Sequence, residues 1–443
     1  MSSDWRLFAI EDLCNVGSSK RIFAHDYVES GIPFYASKDV IDKALGSYSS
    51  PAVYISEKRF TDIADKFGYP QKGDLLLSSV GNRAGIPYVV QNEGKFYFKD
   101  GNVTWFKDFK SLNSDFLCYW LKSNVGQNAL HSIMIGSAQK ALTISGLQKL
   151  KINLPSEEVQ RDIVSILKGI DNRIALLRET NATLEAIAQG LFKSWFVDFD
   201  PVHAKQSGQQ PDGIDEATAA LFPDSYEESQ LGLVPTGWRM LPVGEVVAAV
   251  GGATPDTKDV SYWEPGEHCW TTPKDLSGLS TPILLKTERK ISSKGLAKIG
   301  SGLLPTGTLL MSSRAPIGYL ALAQVPIAVN QGYIAILPKG KLSPLYMLHW
   351  CRQNIEVIKA RANGSTFMEI SKKAFRPIPC LVPKPDLLAA FDSQAGTLFD
   401  RIIENERQSA SLADIRDALL PRLISGQLSI ADVEVTIESS EAP

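Results

Sequence analysis

The pattern of apolar and polar residues changes character at Ser156. From Ile163 onward apolar side chains fall alternately four and three residues apart: Ile163, Leu167, Ile170, Ile174 and Leu177, then Leu184, Ala188, Leu191 and Trp195. Asn181 is the one polar residue in the series. A 3.5-residue period held over this length predicts a helix that packs on another helix along a narrow seam. Ser156 suits the N-cap, and Glu157 and Glu158 in the first turn complement the helix dipole. At about 1.5 Å per residue such a helix runs for about 60 Å, too long to be buried in a small domain. It needs a partner.

The partner lies 228 positions further on, without a gap. Val159 falls on Leu387, Ile163 on Phe391, Ile170 on Leu398, Ile174 on Ile402, Leu184 on Leu412, Ile187 on Ile415, Leu191 on Leu419 and Trp195 on Leu423. Asn181 answers to Ser409, Arg173 to Arg401, and Leu154-Pro155 to Val382-Pro383, while Gly426 is a plausible stop. The predicted seam comprises Ile163, Leu167, Ile170, Ile174, Leu177, Leu184, Leu191, Leu398, Ile402, Leu412 and Leu419. An ungapped match over some forty residues points to duplication rather than to two unrelated amphipathic helices.

Before each helix stands a globular segment with short strand-like runs separated by turn residues. In the first these include Ile32 to Tyr35, Ala52 to Ile55, Gly73 to Ser78 and Pro87 to Val90, with a helix over Asp115 to Ser123 that places Phe116, Tyr119 and Trp120 on one face. This is an α+β pattern. The second segment repeats it: Trp5-Arg6 matches Trp238-Arg239, Gly73 to Ser79 matches Gly307 to Ser313, Trp120 matches Trp350, and Gly136-Ser137 matches Gly364-Ser365. The offset drifts between 228 and 234 here and is constant in the helices, so loops have been edited while helix length was kept. The resulting boundaries are a first globular domain over 1–155, a helix over 156–200, a linker over 201–236, a second domain over 237–383, a helix over 384–428 and a tail over 429–443. Lys205 to Gly213 reads as a flexible polar linker.

Charge sharpens this division. The chain of 443 residues carries a formal net charge of −3, but residues 1–155 hold 18 basic against 15 acidic side chains and residues 237–383 hold 17 against 9. The helices, linker and tail together carry −14. Globular parts facing a polyanion, with helices facing something else, would show this partition, and so could a solvated surface. Five scattered cysteines fit reduced thiols, no apolar run is long enough for a membrane span, and the N-terminus lacks a signal peptide, so a cytoplasmic location is expected.

No Walker-type phosphate loop occurs, nor an Asn-Pro-Pro-Tyr or Asp-Pro-Pro-Tyr run, and the five histidines do not pair with cysteines at zinc spacing. Asp74 with Glu93-Gly94-Lys95 allows a loose nuclease pattern, but the matching Gln324-Val325-Pro326 lacks the acid. No catalytic residue and no metal ligand is therefore assigned. The loops beside the repeated strands carry groups suited to base edges and phosphates: Lys20, Arg21, Lys38, Asn82, Arg83, Gln139 and Lys140 in the first half, and Lys258, Lys274, Arg314, Asn330, Gln331, Asn363 and Thr366 in the second. Arginine can bond guanine bidentately, asparagine and glutamine can do so to adenine, and lysine holds phosphate. Any one of these can equally be a solvated surface residue. Arg83 and Arg314 stand out because each follows a Ser-Ser pair at the end of the repeated strand, near Gly85 and Gly318.

Three stretches resemble the specificity subunits of type I restriction-modification systems. Leu191-Phe192-Lys193-Ser194-Trp195-Phe196-Val197-Asp198-Phe199-Asp200-Pro201-Val202 is similar to the family's central region. Leu233-Val234-Pro235-Thr236-Gly237-Trp238 is similar to the reopening of the second domain, and Leu419-Leu420-Pro421-Arg422-Leu423-Ile424-Ser425-Gly426 to the closing motif. The resemblance implies an α+β fold with two globular target-recognition domains separated by two long antiparallel coiled-coil helices, a pseudo-two-fold internal repeat. It implies a non-catalytic subunit that binds double-stranded DNA, each domain reading one half of a bipartite, asymmetric site. The helices would set the spacing and dock two methyltransferase subunits, with restriction subunits joining through them. No cofactor is expected in this chain; S-adenosylmethionine, ATP and magnesium would belong to the partners. The alternatives are a duplicated scaffold that binds only protein and, further off, a nuclease.

Overall fold

In the computed structural model, residues 5–47, 50–136, 140–229, 232–364, 368–430 and 432 are described. They form two compact units, one of Met1–Arg173 with Ser411–Pro443 and one of Ile174–Ala410. The heptad stretches form two helices of 40 residues, Glu157–Phe196 and Pro385–Ile424, and the boundary between the units falls inside both.

Each unit holds one globular domain closed by its own ends. In the first, Arg6–Ala9 pairs antiparallel with Lys151–Leu154; in the second, Arg239–Pro242 pairs antiparallel with Pro379–Val382. The strand that hands the chain to a long helix is thus held by the strand that opens the domain. The repeated strands are central: Leu75–Ser78 lies between Val103–Lys107 and Pro87–Val89, and Leu309–Ser312 lies between Tyr333–Gly340 and Leu320–Ala323. Both faces are covered, which explains their unbroken apolar runs. Leu75 and Leu77 face the core shared with the domain's helix Ser114–Lys122, while Leu76 faces a cluster with Tyr35, Phe96, Phe98 and Trp105. Leu309 and Met311 are divided from Leu310 in the same way. Side chains alternate between the faces of a strand, so one strand seeds two cores.

Within each unit the helix segments run antiparallel. In the second, Trp195 packs on Phe391 with ring centroids 6.2 Å apart, and further along Asn181 accepts a 2.8 Å hydrogen bond from Asn405 and donates one of 2.9 Å to Glu406. In the first, Arg416 reaches Asp171 at 2.9 Å and Ile163, Val164 and Leu167 share a core with Leu420, Leu423 and Ile424. The predicted seam is at least partly buried at every position, with Ile163, Leu167, Ile174, Leu177 and Ile402 fully so. Asn181 is wholly buried, and its amide is satisfied only when Asn405 and Glu406 lie opposite, so it fixes register at a cost in stability. Ile187 and Ile415, which match at 228, are 52% and 49% exposed on the outer helix faces.

Residues 207–213 of the linker carry no helix or strand, and ordered elements flank them. The chain remains helical over Asp200–Gln206, forms a second turn of helix over Glu216–Ala220, and makes a hairpin of Tyr226–Ser229 with Gly232–Pro235. Lys205 Nζ donates to the carbonyls of Ala219 and Phe222, and Phe222 is buried edge-on against Trp195 at 5.1 Å. Packing of apolar side chains that punctuate a polar stretch overrides its composition. The central motif now has a physical role. Phe199, in the left-handed conformation, redirects the chain between the long helix and Asp200–Gln206, and Phe196 and Phe199 both pack on Trp238. In the first unit Gly426, at φ +70°, turns the second helix's end against the matching Trp5, where a Cβ would come within 3.0 Å of the indole.

Candidate nucleic-acid interface

The two repeated strands end in the same hydrogen-bonded device. Ser78 Oγ donates to the Arg83 carbonyl at 2.7 Å and accepts from the Ile86 amide at 3.0 Å. Ser312 Oγ donates to the Pro316 carbonyl at 2.7 Å and accepts from the Tyr319 amide at 2.8 Å. Each loop returns through a glycine in the left-handed region, Gly85 at φ +98° and Gly318 at φ +105°. The positive φ favours glycine at Gly318, and a Cβ there would also displace the Ile355 side chain, whose Cδ1 would lie 2.4 Å away.

A second chain segment then crosses the strand end. The Leu142 amide donates to the Ser79 carbonyl at 2.8 Å, and the Ile370 amide to the Ser313 carbonyl at 3.0 Å. Isolated bridges join Val80 to Ala141 and Ile135 to Ala141 in the first domain, and Arg314 to Glu369 and Asn363 to Glu369 in the second. One backbone scaffold therefore presents Val80, Ala141 and Ile135 in one half, and Arg314, Glu369 and Asn363 in the other. Gln139 and Thr366 lie outside the described residues.

The two arginines stand at unmatched positions of this scaffold. The loop from Ser78 to Gly85 is one residue longer than that from Ser312 to Gly318, so Arg83 matches Pro316 and Arg314 matches Val80. Asn82 and Arg83 are exposed on the longer loop, and the carbonyl of Lys140 accepts from the Gly81 amide at 2.9 Å, so these three converge at one place in the first domain. Lys20, Arg21 and Lys38 are exposed on other parts of it: Lys20 lies over the Phe67 ring at 4.7 Å, Arg21 bonds Asp100 at 3.2 Å, and Lys38 stands in the first turn of the helix Ser37–Ala44.

In the second domain the strand end opens on a cleft of about 530 Å³, lined among others by Gly251, Gly252, Ser313, Gln331, Glu369 and Lys372. Of the predicted residues Gln331 lines it, Asn330 precedes Gln331 in the chain, and Arg314 and Asn363 are bridged to its lining residue Glu369. The Gln331 side-chain oxygen accepts from Thr254 Oγ1 at 2.6 Å, and Asn330 Oδ1 accepts from the Gly332 amide at 2.8 Å, which shapes the turn. Lys258 is exposed on the loop that leaves the cleft, whereas Lys274 stands apart, paired with Glu288 at 2.9 Å. Three contributors were not foreseen: Glu369, Lys372 and the Gly251-Gly252 pair. At Gly252 a Cβ would sit 1.7 Å from the Val329 carbonyl oxygen, so the close backbone approach that forms one cleft wall admits glycine alone. A doubled glycine just after an apolar run was the available signal.

The loose nuclease pattern resolves into structural contacts. Glu93 accepts from the Tyr88 hydroxyl and pairs with Lys43, and Asp74 accepts from Trp105 Nε1 and the Gln71 amide, each at 2.9 Å. Burial raises the Asp74 carboxyl above its ordinary range, opposed by those two hydrogen bonds. Among the described residues no group of three His, Cys, Asp or Glu side chains could hold a metal ion, and no helix is long and apolar enough to cross a membrane.

Two copies of one scaffold, bearing different side chains at matched backbone positions, define a duplicated recognition protein. The profile of the type I restriction modification DNA specificity domain matches residues 2–186 and 235–388, and the chain belongs to that family. It is 25% identical over 411 residues to the type I restriction enzyme HindI specificity subunit of Haemophilus influenzae, covering 81% of this chain and 87% of that protein. It is 32% identical over 191 residues to the MjaIX specificity subunit of Methanocaldococcus jannaschii, covering 43% and 44%. Its fold is similar to the crystal structure of a type I restriction-modification S subunit from M. genitalium, with a TM-score of 0.57, 17% identity and coverage of 96% and 97%.

Proposed function

We propose that this chain is the DNA sequence-specificity subunit of a type I restriction-modification complex and has no catalytic centre of its own. Each domain reads one half of a bipartite, asymmetric site through the strand-end scaffold, and the long helices set the distance between the halves. The observation that carries this reading is the matched scaffold with unmatched side chains, Val80, Ala141 and Ile135 against Arg314, Glu369 and Asn363. A duplicated surface that bound one symmetric ligand would have no reason to diverge there. Ile187 and Ile415, exposed on acidic helices at equivalent positions, suit the docking of two identical methyltransferase subunits, with restriction subunits joining the assembly. S-adenosylmethionine, ATP and magnesium would then be bound by those partners. A scaffold that binds only protein is the competing reading, because the same exposed isoleucines would serve it.

The test lengthens both long helices by a matched heptad, so that their seam stays in register. That adds about 10 Å to the pair, close to three base pairs of duplex. Selection from randomised duplexes should return the same half-site bases with a wider gap. An unchanged gap, or altered bases, overturns the role of the helices. Failure of the natural chain, with or without a methyltransferase partner, to bind DNA in a salt-dependent way favours the scaffold.

A further inference from the structure

We propose that Arg314 and Glu369 together read a single G·C pair in the half-site of the second domain. This rests on the reading above that the strand end reads the half-site, and it adds that the strand end enters the major groove. Their backbones are joined by the bridge Arg314 to Glu369, and Arg314 Nη1 lies 3.7 Å from Glu369 Oε2. That distance is too long for a hydrogen bond, so both groups keep their bonding capacity for a ligand. Arg314 offers only donors and ionised Glu369 only acceptors.

Read from the purine side, a G·C pair presents guanine N7 and O6 as acceptors and then the cytosine amino group as a donor, one Watson–Crick hydrogen bond away from O6. A donor fork and an acceptor held side by side match that order. A·T and C·G set at least one donor against a donor or one acceptor against an acceptor. T·A keeps the central polarity, yet it places a methyl group where N7 would take the second bond of the guanidinium. The expected ranking is therefore G·C, then T·A, then the other two.

The presence of Glu369 is itself informative. A carboxylate facing DNA is repelled by phosphates unless it meets a donor, and cytosine N4 is such a donor. As a fold-stabilising pair the two groups do little, since their side chains are 36% and 45% exposed. The matched residues Val80 and Ala141 can make apolar contacts, as with a thymine methyl, and cannot make this reading. The two half-sites should differ at this step.

The test is selection from randomised duplexes by the full chain, alone and with a methyltransferase partner, for the natural protein, Arg314→Lys, Arg314→Ala and Glu369→Gln. Thermal melts check that the variants fold. The natural chain should fix one G·C in the second half-site. Arg314→Ala should lower that preference by roughly 5- to 150-fold, Arg314→Lys should admit T·A there, and Glu369→Gln should narrow the margin of G·C over C·G and A·T, because it removes their acceptor–acceptor clash and leaves the donor clash with Arg314, with all other positions kept. If Arg314→Ala relaxes a pair that Glu369→Gln leaves intact, joint reading is overturned while DNA reading stands. A uniform loss of affinity across sequences would make these phosphate contacts and also overturns it. A natural chain that selects no sequence overturns the function itself.

Discussion

Tyr119, Asp171 and Arg416 of the first unit match His349, Phe399 and Ala188 of the second, at the place where a domain's helix lies against the long helices. In the first unit, Tyr119 Oη donates to one oxygen of Asp171 at 2.7 Å and Arg416 Nη1 donates to the other at 2.9 Å. Burial and that carboxylate push the Tyr119 hydroxyl well above its ordinary pKa. In the second unit the same space is aromatic. His349 stacks on Phe192 at 5.5 Å and meets the edges of Phe391 and Phe399, and neither ring nitrogen has a hydrogen-bond partner among the described residues. The charge has moved sideways, to an ion pair between Arg352 and Glu185. A polar triad and an apolar cage thus support one backbone arrangement, which teaches that the shape of the junction is set by the helices and not by the chemistry filling it. Replacing a buried charged network by packed apolar groups is often neutral, so drift between the two is open to a duplicated protein.

Mixing the two solutions should be far worse than either. In a His349→Phe background, which removes the imidazole donor, Phe399→Asp places a carboxylate among aromatic rings, and a loss of about 4 kcal/mol or more is expected in urea unfolding of the full chain. Tyr in place of Phe at 349, which supplies the donor of the first unit, should recover part of it. A loss below about 1 kcal/mol would mean that water enters the cage and that the comparison is wrong.

Acid should separate the two junctions next. Burial, and secondarily Arg352, push the His349 imidazole from 6.5 down to about 3. Between those values the unfolded chain binds a proton that the folded chain refuses, so stability falls as pH drops below 6.5 and levels off near 3. By pH 4 the loss approaches about 3 kcal/mol, since His349 is only 2% exposed. His349→Phe should remove this component of the pH dependence. If the variant and the natural chain lose stability in parallel from pH 6.5 to 4, the imidazole is solvated after all.

Much of this was visible in the sequence, and the parts that were not share a cause. The helix pair was legible because a heptad is a local pattern, and its duplication could be checked residue against residue from Val159 to Trp195. The repeated strands were legible for the same reason, and Leu75–Ser78 and Leu309–Ser312 fall where their apolar runs lie. Loop correspondence was not. Arg83 and Arg314 both follow a Ser-Ser pair, and the different places they hold on the shared scaffold show in the serine hydroxyl bonds and the two crossing segments. Glu369 was passed over because charge type alone argues against a carboxylate near DNA, and its neighbour Arg314 is far away in the chain. The order that flanks the polar stretch Lys205 to Gly213 was not legible either: Phe222 and Pro211 are isolated among polar residues, yet both are buried.

The smallest effect gives the cleanest reading of the comparison, because one kind of change is made at both matched positions. Tyr119→Phe removes a hydroxyl whose hydrogen bond to Asp171 lies partly out of solvent, and leaves Arg416 to satisfy the carboxylate alone. A loss of about 1 kcal/mol is expected, the usual net worth of such a bond. His349→Phe at neutral pH removes two nitrogens that bond to no group among the described residues, and swaps one flat ring for another among Phe192, Phe391 and Phe399. Its transfer and packing terms favour the variant, so stability at pH 7.5 should be unchanged or slightly higher. Urea midpoints of the two variants, measured on the same day in the same buffer, should therefore move in opposite directions or leave only Tyr119→Phe displaced. Equal losses at both would mean that His349 makes a polar contact worth as much as that of Tyr119, and the second junction would then be a polar site like the first.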